Sequence, residues 1–140
     1  VKTGARAREY EDGLLWLEHA GMIYRIYCSS KPGLPLSAYD DLSAFKIYLC
    51  DGGLLRVMAQ LPAEVLWSEN SLYTEFKGAM AENMVLQSLA AHFGVMPRYW
   101  MSEATAEVDF LLQDNAGRLI RTEASSGDPE TIRPTGIISK

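Results

Sequence analysis

AEVDFLLQDNAGRLIRTEA, residues 106–124, is the stretch on which the fold turns. Ala106–Gln113 and Arg118–Ala124 are rich in apolar and β-branched residues, and Asp114-Asn115-Ala116-Gly117 between them is a turn signal, so the stretch is predicted to be a β-hairpin. A three-residue loop, Asn115-Ala116-Gly117, with Gly117 in the left-handed region, sets the register. Asp114 then pairs with Arg118, Gln113 with Leu119, and Asp109 faces Glu123. Within the first strand Val108, Phe110 and Leu112 share one face, and Glu107, Asp109 and Leu111 the other. Two carboxylates directly opposite each other repel, and a divalent cation between them reverses that effect. The alternative is that both are solvated residues on an exposed sheet face.

Upstream, a helix is predicted from about Leu72 to Phe93, closed by Gly94. Ala79, Glu82, Leu86, Leu89 and Phe93 recur at helical spacing, which puts Glu82 inside the apolar stripe. A buried carboxylate needs a partner or a metal, with Arg121 or a backbone group as the plain alternative to a metal. Tyr99–Met101 is read as a short strand, and Leu42–Cys50 as an apolar, β-rich segment ended by Asp51-Gly52-Gly53. Short helical segments are expected at Leu54–Gln60 and Pro62–Ser68, and a loop at Ser29–Tyr39. At the start, Ala5–Ala20 reads as a helix stopped by Gly21 and followed by a strand, Met22–Tyr27. That order matches the last helix and wing of a winged helix. Ser125–Lys140 carries two prolines and two glycines and reads as an irregular tail.

The chain of 140 residues is long enough for one domain plus a fragment, and 48% hydrophobic against 22% charged residues is a globular balance. A net charge of −5 argues against a broad basic surface, so any nucleic-acid contact is expected to come from a local patch or from chain missing here. No run approaches the roughly 20 apolar residues of a membrane-spanning helix, and no membrane partner is expected. Cys28 and Cys50 lack metal-ligand spacing and are expected to be reduced, which points weakly to the cytoplasm. The Val at position 1 is read as the start of a fragment of a longer protein.

Three ordered blocks carry a resemblance: Phe45-Lys46-Ile47-Tyr48-Leu49-Cys50-Asp51-Gly52-Gly53-Leu54-Leu55, Phe76-Lys77-Gly78-Ala79-Met80-Ala81-Glu82-Asn83, and Tyr99-Trp100-Met101-Ser102-Glu103 through Ala106–Leu111. They look like the signature blocks of the uncharacterised C-terminal domain of prokaryotic AAA-type ATPases, which follows an ATPase module and a winged helix. The C-terminal half is similar to the PD-(D/E)XK nuclease superfamily. The resemblance implies an α/β fold, a small mixed β-sheet flanked by helices, restriction-endonuclease-like and preceded by a winged-helix remnant. Residues 1–28 would be the remnant and residues 29–140 the nuclease-like domain, shortened at its C-terminus.

In the superfamily a helix Glu, a strand Asp and a Glu-x-Lys bind Mg²⁺ and activate water. Glu82, Asp109 and Glu123 match the three acids, and so are the expected catalytic and metal residues. Ser125 stands where the lysine belongs, and a hydroxyl cannot supply its charge. Arg121, two residues before Glu123 on the same strand face, is read first as an ion-pair partner neutralising Glu123 and second as a source of that charge, and a migrated lysine such as Lys77 or Lys140 is the other candidate replacement. No Gly-x-x-x-x-Gly-Lys-Ser/Thr loop occurs, so no ATP site is expected in this chain. The expected function is a non-catalytic, nuclease-like accessory domain of an AAA-type ATPase that binds a partner or nucleic acid. The alternatives are a Mg²⁺-dependent DNA nuclease with a displaced basic residue and a structural oligomerisation domain. The expected partners are the ATPase module, DNA and a second copy of the chain.

Overall fold

In a computed structural model the chain is described over residues 10–101, 107–122 and 134–138. The elements run α1 (Glu11–His19), β1 (Ile23–Ser29), β2 (Asp40–Leu49), α2 (Gly52–Met58), α3 (Thr74–Phe93), β3 (Arg98–Met101), β4 (Glu107–Gln113), β5 (Leu119–Thr122) and β6 (Pro134–Ile138). Short 3₁₀ turns at Leu36–Tyr39, Ala63–Trp67 and Ser71–Tyr73 join some of them. The strands form one six-stranded sheet in the order β2-β1-β3-β4-β5-β6. β1 and β3 are parallel and every other pair is antiparallel. The mixed α/β class is therefore as read from the sequence.

Pairing fixes which side chains share a face. Ile26, fully buried, lies opposite Lys46, and Tyr24 lies opposite Tyr48. Together with Tyr99, Phe110 and Leu112 this face packs on Leu86 and Leu89 of α3. The other face carries a smaller cluster of Leu36, Leu111 and Leu119, with Trp100 beside it. α1 also lies on that side. It is tied down by Arg25, whose guanidinium is 2.5 Å from Glu11 and 3.5 Å from Glu18. The Glu11 hydrogen bond raises the Arg25 pKa, so this cation stays charged although only 7% of the residue is exposed.

The β4–β5 hairpin has the expected register, Gln113↔Leu119 through Phe110↔Thr122. Asp114 N–H donates to the Arg118 carbonyl at 3.0 Å, and Gly117 has φ +74°, the left-handed conformation its position requires. Two expectations change. The strand read as a wing, β1, is an interior strand of the sheet, hydrogen-bonded to β2 on one side and β3 on the other, so the expected boundary between residues 28 and 29 falls inside it. The tail is not irregular throughout, because 134–138 forms β6 along the otherwise open edge of β5. Pro134 is the first residue of that strand, a place where a missing N–H is tolerated.

Candidate functional site

The helix carboxylate is the best-defined part of the expected site. Glu82 lies on α3 at the margin of the buried face, with its side chain 31% exposed. Tyr48 Oη donates a 2.8 Å hydrogen bond to Glu82 Oε2, and Lys46 Nζ is 3.8 Å from the same oxygen. Both partners come from β2, two residues apart, and so project from one face of the strand onto α3. Lys46 Nζ also lies 5.2 Å from the centroid of the Tyr99 ring, which attracts a cation through its face. The partners of Glu82 are thus Tyr48 and Lys46 rather than Arg121, and Lys77, the candidate migrated lysine, donates its ammonium to the Ser68 carbonyl.

The truly buried polar side chain on α3 is the next residue, Asn83, 1% exposed. Its amide accepts from Leu49 N–H at 2.9 Å and donates to the Leu49 carbonyl at 3.0 Å. One turn on, Gln87 Nε2 donates to the Cys50 carbonyl at 2.9 Å. These amides close the end of edge strand β2, much as a neighbouring strand would.

Asp109 sits at an irregularity. Arg98 pairs with Leu111 but Trp100 pairs with Val108, so β4 advances three residues where β3 advances two. This is a β-bulge at Asp109-Phe110, opposite Tyr99, and a bulge re-aims side chains. Strict alternation, which grouped Asp109 with Leu111, takes no account of this bulge. Phe110 packs on Tyr48 with ring centroids 5.8 Å apart. Glu82 is therefore linked by contact through Tyr48 to Phe110, the residue after Asp109, and through Lys46 to Tyr99, which the register sets opposite the bulge. The rung expected to pair Asp109 with Glu123 lies outside the described residues, as do Glu123, Ser125 and Lys140.

Beside Glu82 an open groove of about 570 Å³ runs between β2, α2 and α3, with Lys46, Tyr48, Leu55, Glu75, Gly78 and Asn83 among its walls. Magnesium is held by carboxylates, carbonyls and water. Around Glu82 the partners are instead an ammonium and a hydroxyl donor, which do not fit a cation. Among the described residues no group of three or more His, Cys, Asp or Glu side chains is placed to hold a metal. Nor is any described helix long and apolar enough to cross a membrane. Cys28 and Cys50 are free thiols, each partly exposed.

Two family models match the chain. Residues 1–65 are similar to a domain of unknown function, DUF8612, and residues 77–136 to a second domain of unknown function, DUF4143. Each likeness covers less than half of the chain. No curated protein and no solved structure matches it. The two matched segments meet inside one sheet: β1 and β2 belong to the first, and β3 to β5 fall in the second.

Of the residues that shape this site, Lys46 and Asn83 were not singled out from the sequence. Lys46 had a signal, since it interrupts the apolar, β-rich segment Leu42–Cys50, but it was given no role at the site. Asn83 had only its place beside Glu82.

Proposed function

We propose that this chain is a nuclease-like accessory domain that works beside an AAA-type ATPase in the cytoplasm and binds a partner or nucleic acid without cutting it. The observation that carries the reading is the state of Glu82. Its Oε2 is already engaged by Tyr48 and Lys46, so the carboxylate at the helix position of the resembled site has partners within the chain. Ser125 in place of the lysine of Glu-x-Lys points the same way. The AAA association rests on the resemblance of the three sequence blocks and on the DUF4143 likeness, a domain met in AAA-ATPase contexts. A nuclease-like fold outliving its chemistry is a familiar outcome, because function resides in the site and not in the architecture.

One observation favours a second reading. Lys46 brings a basic group to Glu82 from a different strand, and a displaced lysine of that kind would suit a Mg²⁺-dependent DNA nuclease acting through Glu82, Asp109 and Glu123. Incubation of the chain with supercoiled plasmid and Mg²⁺ or Mn²⁺, beside an Asp109→Ala control, separates the two. The expected result is intact plasmid in every lane. Metal-dependent cleavage that disappears in the Asp109→Ala protein would establish the second reading and end the first.

A further inference from the structure

The resembled site calls for a divalent metal, and the surroundings of Glu82 disagree with one. That disagreement has a physical content. Lys46 lies opposite the fully buried Ile26, so its stem runs along the packed face of the sheet and its ammonium is delivered to the margin of that face. There it meets Glu82 Oε2 at 3.8 Å and the Tyr99 ring at 5.2 Å, two groups that each favour a cation, from different elements. Tyr48 Oη fixes the same carboxylate oxygen from 2.8 Å. A divalent ion bound through Oε2 would have to displace the Tyr48 hydrogen bond. It would also sit within a few ångströms of a like charge whose stem is already packed.

We propose that Lys46 is the resident cation of this site, holding at Glu82 the positive charge that a bound metal would otherwise supply. This rests on the nuclease-like reading of Glu82 and gives that reading a cause: the site is closed by a lysine on β2 as well as weakened at Ser125. The charge is supplied permanently and without coordination geometry, so it neutralises the carboxylate but offers no open position for an activated water.

The test is to remove the ammonium and ask whether a metal takes its place. Lys46→Met keeps an unbranched stem on the sheet face. With Mn²⁺ about tenfold above its dissociation constant, the Lys46→Met protein is expected to melt roughly 4 °C higher than without metal. The wild-type chain is expected to be indifferent to Mn²⁺, and Lys46→Met/Glu82→Gln to lose the gain. A Lys46→Met melting curve unchanged by Mn²⁺ overturns the assignment. If Lys46→Met does not fold, Lys46→Gln is compared with wild type by Mn²⁺ titration followed by electron paramagnetic resonance. Tighter binding by Lys46→Gln that is lost in Lys46→Gln/Glu82→Gln supports a resident lysine, and binding no tighter than that of wild type refutes it. Plasmid cleavage is a separate readout that tests the non-catalytic reading, so the two failures are told apart.

Discussion

Asn83 takes the place of a neighbouring strand at the end of β2. Its amide satisfies both backbone groups of Leu49 and is itself almost fully enclosed. A buried donor or acceptor left without a partner costs about 1–3 kcal/mol. Asn83→Leu preserves bulk but strands the Leu49 N–H and carbonyl, so it is expected to lower stability by about 2–4 kcal/mol. In urea denaturation this reads as a fall in midpoint with the slope unchanged. Met84→Ala, at an exposed position on the same helix, serves as the control and is expected to shift the midpoint little. An Asn83→Leu midpoint equal to that of the control would show that the strand end is satisfied by water instead. The helical stripe read from the sequence shares Leu86 and Leu89 with the observed buried face but enters it through Glu82, where the helix enters through Met80 and Asn83. Periodicity locates a face to within about one residue's rotation, 100°. The choice between neighbours was made by the end of a distant strand, which no local pattern records.

The β4–β5 hairpin was legible because its determinants are local. Asp114 accepts from the N–H groups of Ala116 at 3.0 Å and Arg118 at 2.8 Å, and from Arg118 Nε at 2.8 Å, while Gly117 supplies the positive φ. These donors, the Arg118 N–H foremost, hold the Asp114 carboxyl below its ordinary pKa. A group depressed in the folded state contributes stability above its unfolded value, about 3.9, and that contribution is lost as pH falls through the lower folded value. In an acid titration followed by NMR, the Ala116 and Arg118 amides are expected to shift together with a midpoint under about 3.9. Asp114→Asn should abolish that step, and a midpoint at or above the ordinary value would mean that the turn does not depend on the carboxylate. By contrast, β1 was read as a strand after a helix and a glycine, but its neighbours in the sheet were not legible. Its own residues show alternation, yet which strands flank it is decided by β3, some 70 positions away in sequence on the evidence of Cys28↔Tyr99. β6 was missed for the same reason, since its pairing with β5 is tertiary and Pro134 argued locally against a strand. The bulge at Asp109 is equally silent in sequence.

At the scale of the whole molecule, the two stretches with separate family likenesses, 1–65 and 77–136, build one sheet and one core. Ile26 and Tyr48 from the first pack with Leu86, Leu89, Tyr99, Phe110 and Leu112 from the second. Across the same seam run the paired Arg98–Asp40 bonds at 2.9 and 2.8 Å, Leu36 N–H to Gln113 Oε1 at 2.9 Å, and the Asn83 and Glu82 contacts with β2. The Asp40 bonds raise the Arg98 pKa, so the cation persists at any ordinary pH. Cutting between the stretches would expose the α3 face of β1 and β2 and leave the parallel edge of β3 open, a liability for a short strand. Residues 1–70 and 71–140 expressed separately are therefore expected to show no cooperative melt, and mixing them to restore one, with near-ultraviolet circular dichroism as the readout. If either half melts cooperatively by itself, the seam is an interface between two domains and the site at Glu82 lies between them. If neither does, Lys46 and Glu82 come from opposite sides of a single folding unit, and the charge at that carboxylate is set only once the β1–β3 seam has formed.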